Sequence, residues 1–398
     1  MHASSQRSAL VLGPSRSGKT SSILLPNLLM SRVSAVVTST KDDVMVMTSH
    51  HRREGAHLLF DPSGTVVAPE GVTRVGYSPL RQSFSWDGAI LAAQTLVATS
   101  RRRVDAIGED HWTERASALV APMMHAAALR HDSLGAMVHA IDERRGDEAL
   151  TTLSARYGEA HPSVATLRAV LATEAREQSS IWSTTSGLFA GMRSESARRA
   201  SHEPLVDLDA FLSGPHQLHV VAPSRHQAAS APLVVGLIDE IVTATYARHA
   251  EGARLLLALD EVANVAPLPQ LAGIVSEGGG QGVVTLAAMQ DLSQARTRWG
   301  VEADGFLSLF PTTVVLPGIA DRRTLELISA LSGRTWVPRV SQGRRPRSTS
   351  TWSWEERPRL RTGDVSHGRA GHALVLDERR EPRWVDLVPA HLDPRWRT

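Results

Sequence analysis

Gly13-Pro14-Ser15-Arg16-Ser17-Gly18-Lys19-Thr20 is a gap-free match to the phosphate-binding pattern G-x-x-x-x-G-K-[ST]. The apolar run Ala9-Leu10-Val11-Leu12 precedes it and Ser21-Ser22-Ile23-Leu24-Leu25 follows. The loop therefore joins a strand to a helix, the context in which the motif carries meaning. Its glycines let the backbone wrap an anion, and its N–H groups and the helix N-terminus point at that anion. Lys19 is expected to reach the β- and γ-phosphates of a nucleoside triphosphate, and the Thr20 hydroxyl to ligate Mg2+. The whole segment, Gly13, Pro14, Ser15, Arg16, Ser17, Gly18, Lys19 and Thr20, is the expected binding set for ATP with Mg2+.

Lysine usage sharpens the reading. Lys19 and Lys41 are the only lysines among 43 basic residues, so arginine serves almost everywhere else. Arginine cannot replace a compact ammonium inside a phosphate cradle, which explains why Lys19 is retained. Lys41, just after the apolar run Ala35-Val36-Val37, is open to the same explanation or to that of an ordinary surface lysine.

At 398 residues the chain can bury a sizeable core and hold more than one structural unit. A hydrophobic fraction of 42% and a charged fraction of 21% are those of ordinary globular proteins. No apolar run of transmembrane length and no signal-peptide pattern is read from it. Cysteine is absent, which excludes disulfides and thiolate metal sites and fits a reducing cytoplasm. With 43 basic and 41 acidic residues the net charge is only +2, so nucleic-acid contacts must come from local arginine clusters. His216 and His219 flank an apolar strand and read as structural rather than as metal ligands.

Short apolar runs alternate with helix-length segments, the pattern of a parallel sheet covered on both faces. Strands are expected at 9–12, 34–38, 57–60, 217–221, 255–259, 283–288 and 312–316. Between positions 84 and 200 the composition turns to Ala, Arg, Glu and Leu without convincing strands, which predicts an inserted set of amphipathic helices. Its segment 112–129 is apolar on nearly all sides and is expected to be buried. The expected division is a nucleotide-binding part at 1–84, an all-α insertion at 85–203, and a second nucleotide-binding part at 204–398. Segment 343–358 is polar, arginine-rich and too poor in aliphatic residues to form core, whereas 372–376 and 384–388 read as closing strands at a sheet edge.

A second chemical signal is Arg254-Leu255-Leu256-Leu257-Ala258-Leu259-Asp260-Glu261, an aliphatic strand ending in two acids. Asp260 is expected in the Mg2+ shell and Glu261 to orient and activate the attacking water. This Walker B form favours hydrolysis over phosphoryl transfer to a small molecule. The run 283–288 ends in Met289-Gln290-Asp291, and Gln290 is the expected γ-phosphate sensor, with helix capping as its alternative role.

Taken in order, these residues resemble the TraG/TraD-type coupling ATPases of conjugation and type IV secretion. The resemblance begins with the phosphate loop followed by Leu25-Pro26-Asn27-Leu28-Leu29. It continues through Val36–Lys41, Phe60-Asp61-Pro62, Ser78-Pro79-Leu80 and Asp110-His111-Trp112. It is most specific at Asp260-Glu261-Val262-Ala263-Asn264, at Pro269 and Leu271, and at Gln290-Asp291-Leu292-Ser293-Gln294; Arg357-Pro358-Arg359-Leu360 extends it to the C-terminal region. What the resemblance implies is a RecA-like P-loop ATPase with a mainly parallel sheet, active as a homo-hexamer or monomeric as an isolated domain. It would deliver single-stranded DNA with its relaxase, or protein effectors, to the components of a secretion channel. It would act in the cytoplasm at the inner face of the cell membrane, with the helical insertion recognising cargo.

The chain departs from the family at two places. Relatives usually carry an N-terminal membrane anchor, expected here to lie outside this chain. The loop Glu277-Gly278-Gly279-Gly280-Gln281-Gly282 lacks the arginine that relatives often place there. Motors of this class complete the site with an arginine from a neighbouring subunit, for which Arg296, Arg298, Arg322 and Arg323 are the candidates. Arg344, Arg345 and Arg347 near Trp352 and Trp354 form a candidate patch for unpaired bases, with a solvated loop as the plainer alternative. Two rival functions share parts of this pattern: an FtsK/HerA-like translocase of double-stranded DNA, and a cargo-recruiting adaptor with weak ATPase activity.

Overall fold

The computed structural model describes residues 7–52, 54–100, 109–341 and 351–396. Among the described residues twelve strands occur in chain order: β1 (Ala9–Leu12), β2 (Ser34–Ser39), β3 (His57–Phe60), β4 (Val72–Arg74), β5 (Gln217–Val221), β6 (Leu255–Leu259), β7 (Val283–Met289), β8 (Thr312–Val315), β9 (Arg334–Ser341), β10 (Thr351–Pro358), β11 (His372–Asp377) and β12 (Arg380–Asp386). Ten form one sheet in the order β12-β11-β8-β1-β7-β6-β2-β5-β3-β4. From β8 to β4 every pairing is parallel, and β11 and β12 close the other edge antiparallel. All seven expected central strands are present, and the sheet is the mainly parallel one anticipated.

Burial explains why these runs were readable. Strands β1, β2, β5 and β6 are buried at every position. Helices cover both faces, so neither face needs polar residues and the strands read as continuous apolar runs. Their side chains divide between two clusters, Leu10, Leu12, Val36 and Leu257 in one, Val11, Val37, Leu256 and Ala258 in the other. The alternation is the period-two signature of a strand.

Between β4 and β5 the described chain forms helices and turns, and the central helix Glu109–Leu129 buries Ala116, Leu119, Val120, Met123, Met124, Ala126 and Ala127. Helices Trp86–Ser100, Gly146–Tyr157, Pro162–Leu171 and Ala175–Leu188 pack around it. This helical layer is not an isolated unit: Met123 and Leu167 belong to the same hydrophobic cluster as Leu10 and Leu257 of the sheet. It is also tied by polar contacts to the long helix Gln227–Ala247, through Thr95 Oγ1 donating to Asp239 Oδ2 at 3.1 Å. Just before the helices, Arg81 Nε meets Glu240 Oε1 at 2.8 Å.

Two expectations are corrected and one is refined. The last edge strand is β12 at Arg380–Asp386 rather than 384–388. It follows β11 through the two-residue connection Glu378-Arg379, where Asp377 Oδ1 accepts the Arg379 N–H at 3.0 Å, and polar hairpin strands of this kind lack an apolar run. The polar segment, which contributes no core among its described residues, as expected, nonetheless contains β10, which pairs antiparallel with β9 in a separate two-stranded sheet. Third, the segment Ser224–Ala247 is one helix long and apolar enough to cross a membrane, although 78% of its most apolar window is buried within the protein. Its Asp239 and Glu240 had interrupted the apolar run in the sequence.

Candidate nucleotide site

The phosphate loop leaves β1 between β7 and β8. Gly13 N–H donates to Met289 O of β7 at 3.2 Å, and Leu316 N–H donates to Leu12 O at 2.8 Å. A Cβ on Gly13 would lie 2.7 Å from Ser17 Oγ and 2.8 Å from Leu316 Cβ, so only glycine fits this crossing. Arg16 and Gly18 adopt left-handed backbone, φ +63° and +96°, which turns successive N–H groups inward. The helix then starts with a wide π-turn at Thr20–Leu24 before the regular turns of Leu25–Met30. Pro26 has no N–H, and its ring would meet the Ser22 carbonyl in a regular helix; the wider turn relieves both problems.

Lys19 is 5% exposed, and its Nζ donates to Gly13 O at 2.7 Å and to Pro14 O at 3.0 Å. That leaves one ammonium donor uncommitted, with Glu261 Oε1 3.9 Å away. Burial lowers the Lys19 pKa, and the carboxylates of Glu261 and Asp260 oppose that shift. Lys41, by contrast, has an exposed side chain, as the ordinary surface reading has it.

The Walker B strand β6 stands two places from β1, across β7. Its end is anchored by Thr38 Oγ1 of β2, which donates to Asp260 O at 3.0 Å. The Asp260 carboxylate accepts from Thr20 Oγ1 at 2.6 Å and from the Glu261 N–H at 3.1 Å. Burial raises the pKa of Asp260, against the Thr20 hydrogen bond and the Lys19 charge. Burial raises that of Glu261 as well, against the pull of Lys19. Glu261 adopts φ 49°, ψ 45°, a left-handed conformation that costs a non-glycine residue about 1–3 kcal/mol and is held by its surroundings. Asn264 Nδ2 donates to Glu261 Oε2 at 3.3 Å.

Gln290 follows β7, beside the loop, and its Nε2 donates to Ser15 Oγ at 3.2 Å. The helix Leu292–Trp299 is capped by Asp291, whose Oδ1 accepts the Ser293 N–H at 2.8 Å, so capping is not the work of Gln290. Gln294 supports Gln290 by accepting its backbone N–H on Oε1 at 3.0 Å. Lys19, Thr20, Asp260, Glu261 and Gln290 therefore meet at one end of the sheet. Asn264 and Gln294 were legible only as members of a family motif, because their effect on Glu261 and Gln290 depends on three-dimensional placement.

The candidate trans arginines differ in environment. Arg296 is bound by Asp304 at 3.3 Å and Asp321 at 2.7 Å, Arg322 by Glu326 at 2.7 Å, and Arg323 by Asp304. Arg298 donates Nε to Ala263 O at 2.8 Å, and burial alone lowers its pKa. The loop from Glu277 ends at Gly282, φ +84°, before β7, at the opposite end of that strand from Gln290.

Other expectations fall away from the nucleotide. His219 is buried and stacked on His57, and His216 Nδ1 accepts the Ala56 N–H at 2.8 Å. Among the described residues no group of three His, Cys, Asp or Glu side chains is placed to hold a metal. Asp61 organises the turn after β3 by accepting from Ser63, Gly64 and Val66. Arg344, Arg345 and Arg347 lie outside the described residues. The register of β9 and β10 places Trp336, Trp352 and Trp354 on one face, exposed by 62%, 70% and 68%.

Comparison with known proteins identifies the family and agrees with the fold. Residues 2–382 match the family model described as Type IV secretory system Conjugative DNA transfer. The conjugal transfer protein TraG of Escherichia coli is 24% identical over 323 residues, which cover 73% of this chain and 49% of TraG. The chain thus spans about half the length of that curated relative. The bacterial conjugative coupling protein TrwBdeltaN70, in its unbound monoclinic form, has the same fold with a TM-score of 0.76 at 19% identity, over 98% of this chain and 88% of that one. TrwB in complex with ADP and Mg2+ superposes with a TM-score of 0.74 at 18% identity, over 98% and 87%. This chain belongs to the type IV secretory system conjugative DNA transfer family.

Proposed function

We propose that this chain is the ATP-hydrolysing part of a coupling motor that recruits DNA–protein or protein substrates and drives them into a type IV secretion channel. The observation that carries this reading is the convergence of Lys19, Thr20, Asp260, Glu261 and Gln290 within a chain of the conjugative DNA transfer family. Lys19 and the loop N–H groups hold the phosphates. The Thr20 hydroxyl and Asp260 carboxylate, 2.6 Å apart, are hard oxygen donors that would hold Mg2+. Mg2+ bound there supplies charge neutralisation on the phosphate oxygens. Glu261 accepts the proton of the attacking water as its oxygen bonds the γ-phosphorus and the bond to the bridging oxygen of ADP breaks. Gln290 senses the γ-phosphate from the Ser15 side.

The chain divides into nucleotide-binding parts at 1–84 and 204–398 with a cargo-recognising insertion at 85–203, a reading that the helical layer between β4 and β5 supports. The active assembly is a homo-hexamer with each nucleotide at a subunit boundary, working at the cytoplasmic face of the membrane. Its partners are single-stranded DNA with relaxase, protein effectors and channel components. The test is the ATPase rate against protein concentration, with and without single- and double-stranded DNA. Turnover that rises with concentration and with single strands is expected. A response confined to duplex DNA identifies a double-strand translocase instead, and no response to either identifies an adaptor.

A further inference from the structure

The side chains that hold the two hydrolytic candidates reach a common cleft. Asn264 donates to Glu261, and Gln294 accepts from the Gln290 backbone. Both line a cleft of about 750 Å³ that also touches Gly191 and Met192 of the helical layer, Ala228 of the long helix, and Arg298. The cleft thus borders the nucleotide site on one side and the helical layer on the other. Arg298 is the charged side chain among its lining residues, held by one bond to the Ala263 carbonyl, with no carboxylate partner among the described residues. A half-buried guanidinium in this condition has donors free for an anion.

We propose that this cleft seats the phosphodiester backbone of a single-stranded nucleic acid, with Arg298 as its anion partner and Asn264 and Gln294 as positioning residues that pass its arrival to Glu261 and Gln290. The inference rests on the motor reading above and names where cargo touches the motor. The cleft volume lies in the range of small-ligand sites. Backbone contacts of this kind carry no sequence information, as a general transfer motor requires. The switch is a competition between hydrogen bonds. The Asn264–Glu261 contact at 3.3 Å is long, whereas a bond to a phosphate oxygen is charge-assisted and shorter. Gln294 uses Oε1 on Gln290, so its Nε2 donors remain for the same phosphates. Drawing the Asn264 amide away frees the Glu261 carboxylate to meet the attacking water.

The experiment uses the full chain and a poly-dT oligonucleotide, and reads oligonucleotide affinity together with the ratio of ATPase rates with and without it. Wild-type protein is expected to show a ratio well above one. Ala228→Trp, which fills the cleft, and Arg298→Ala are each expected to weaken oligonucleotide binding about tenfold. Asn264→Ala is expected to lower that affinity less than Arg298→Ala does while its ratio falls to about one; Asn264→Gln restores part of the ratio. Affinity and ratio that survive both Ala228→Trp and Arg298→Ala overturn the proposal and leave the motor reading standing. A wild-type ratio of one with every DNA overturns both. Recovery of activity on mixing Arg298→Ala with Lys19→Ala subunits makes Arg298 a contact to the neighbour's nucleotide and overturns the cleft assignment.

Discussion

The Thr20 hydroxyl donates to Asp260 Oδ2 at 2.6 Å, joining the start of the phosphate-loop helix to the end of β6 across 240 positions of sequence. The pair presents two hard oxygens at one point. Removing either is expected to weaken Mg2+-dependent binding while sparing what the loop N–H groups do. Thr20→Ala should therefore lose about tenfold in affinity for an ATP analogue in the presence of Mg2+ and little in its absence. Equal affinities of mutant and wild type with Mg2+ present would remove Thr20 from the metal shell.

Lys19→Ala should abolish hydrolysis and lower nucleotide affinity together, because the ammonium stabilises phosphate charge in ground and transition states. Steady-state turnover and equilibrium binding of a labelled nucleotide check this. Near-wild-type turnover would sink the phosphate-loop assignment.

Glu261→Gln should keep nucleotide bound and cut kcat by about 10²–10⁴-fold, since the amide cannot accept the proton of water. Burial raises the Glu261 pKa, so the carboxylate must lose its proton at a higher pH than an ordinary glutamate does. The acidic limb of the wild-type kcat profile should accordingly lie above the usual glutamate range and vanish in Glu261→Gln. A mutant that no longer binds nucleotide would show that Glu261 is not the base.

Gly13→Ala would press a methyl group against Ser17 Oγ and Leu316 Cβ at under 3 Å. Overpacking of this kind costs about 1–3 kcal/mol. A lower thermal midpoint and lost nucleotide binding are the expected outcome, measured by calorimetry and by titration. An unchanged midpoint would mean that β1 and β8 part easily at this crossing.

His219 is buried against His57 and Thr48, with Arg52 nearby, and its pKa is pushed down to about 3, first by burial and then by His57 and Arg52. Its folded-state value lies below the unfolded 6.5, so between those pH values the unfolded chain binds the proton and the folded chain does not. Stability from this residue is intact above pH 6.5 and is lost as the pH falls, by about 3 kcal/mol at pH 4. Urea unfolding at a series of pH values should show that decline, with a shallower one in His219→Gln. Equal slopes would place the acid sensitivity elsewhere.

The sequence by itself determined the phosphate-loop and Walker B patterns and the central sheet. Phosphate loops and Walker B strands are local objects: the loop needs its own glycines and lysine, and a strand covered on both faces must be apolar throughout. Lys19, Thr20, Asp260 and Glu261 were legible for that reason, as were the strands from β1 to β8 apart from short β4. What only the tertiary structure decided is which distant groups meet. The pairing of β9 with β10 stayed hidden because exposed strands carry no apolar run. The pairing of Arg296 with Asp304 and Asp321, the contact of Gln290 with Ser15, and the reach of Asn264 and Gln294 into one cleft all depend on where the chain returns in space. A side-chain amide has the same local signature in a cap, a core or a site, and only its neighbours distinguish those roles.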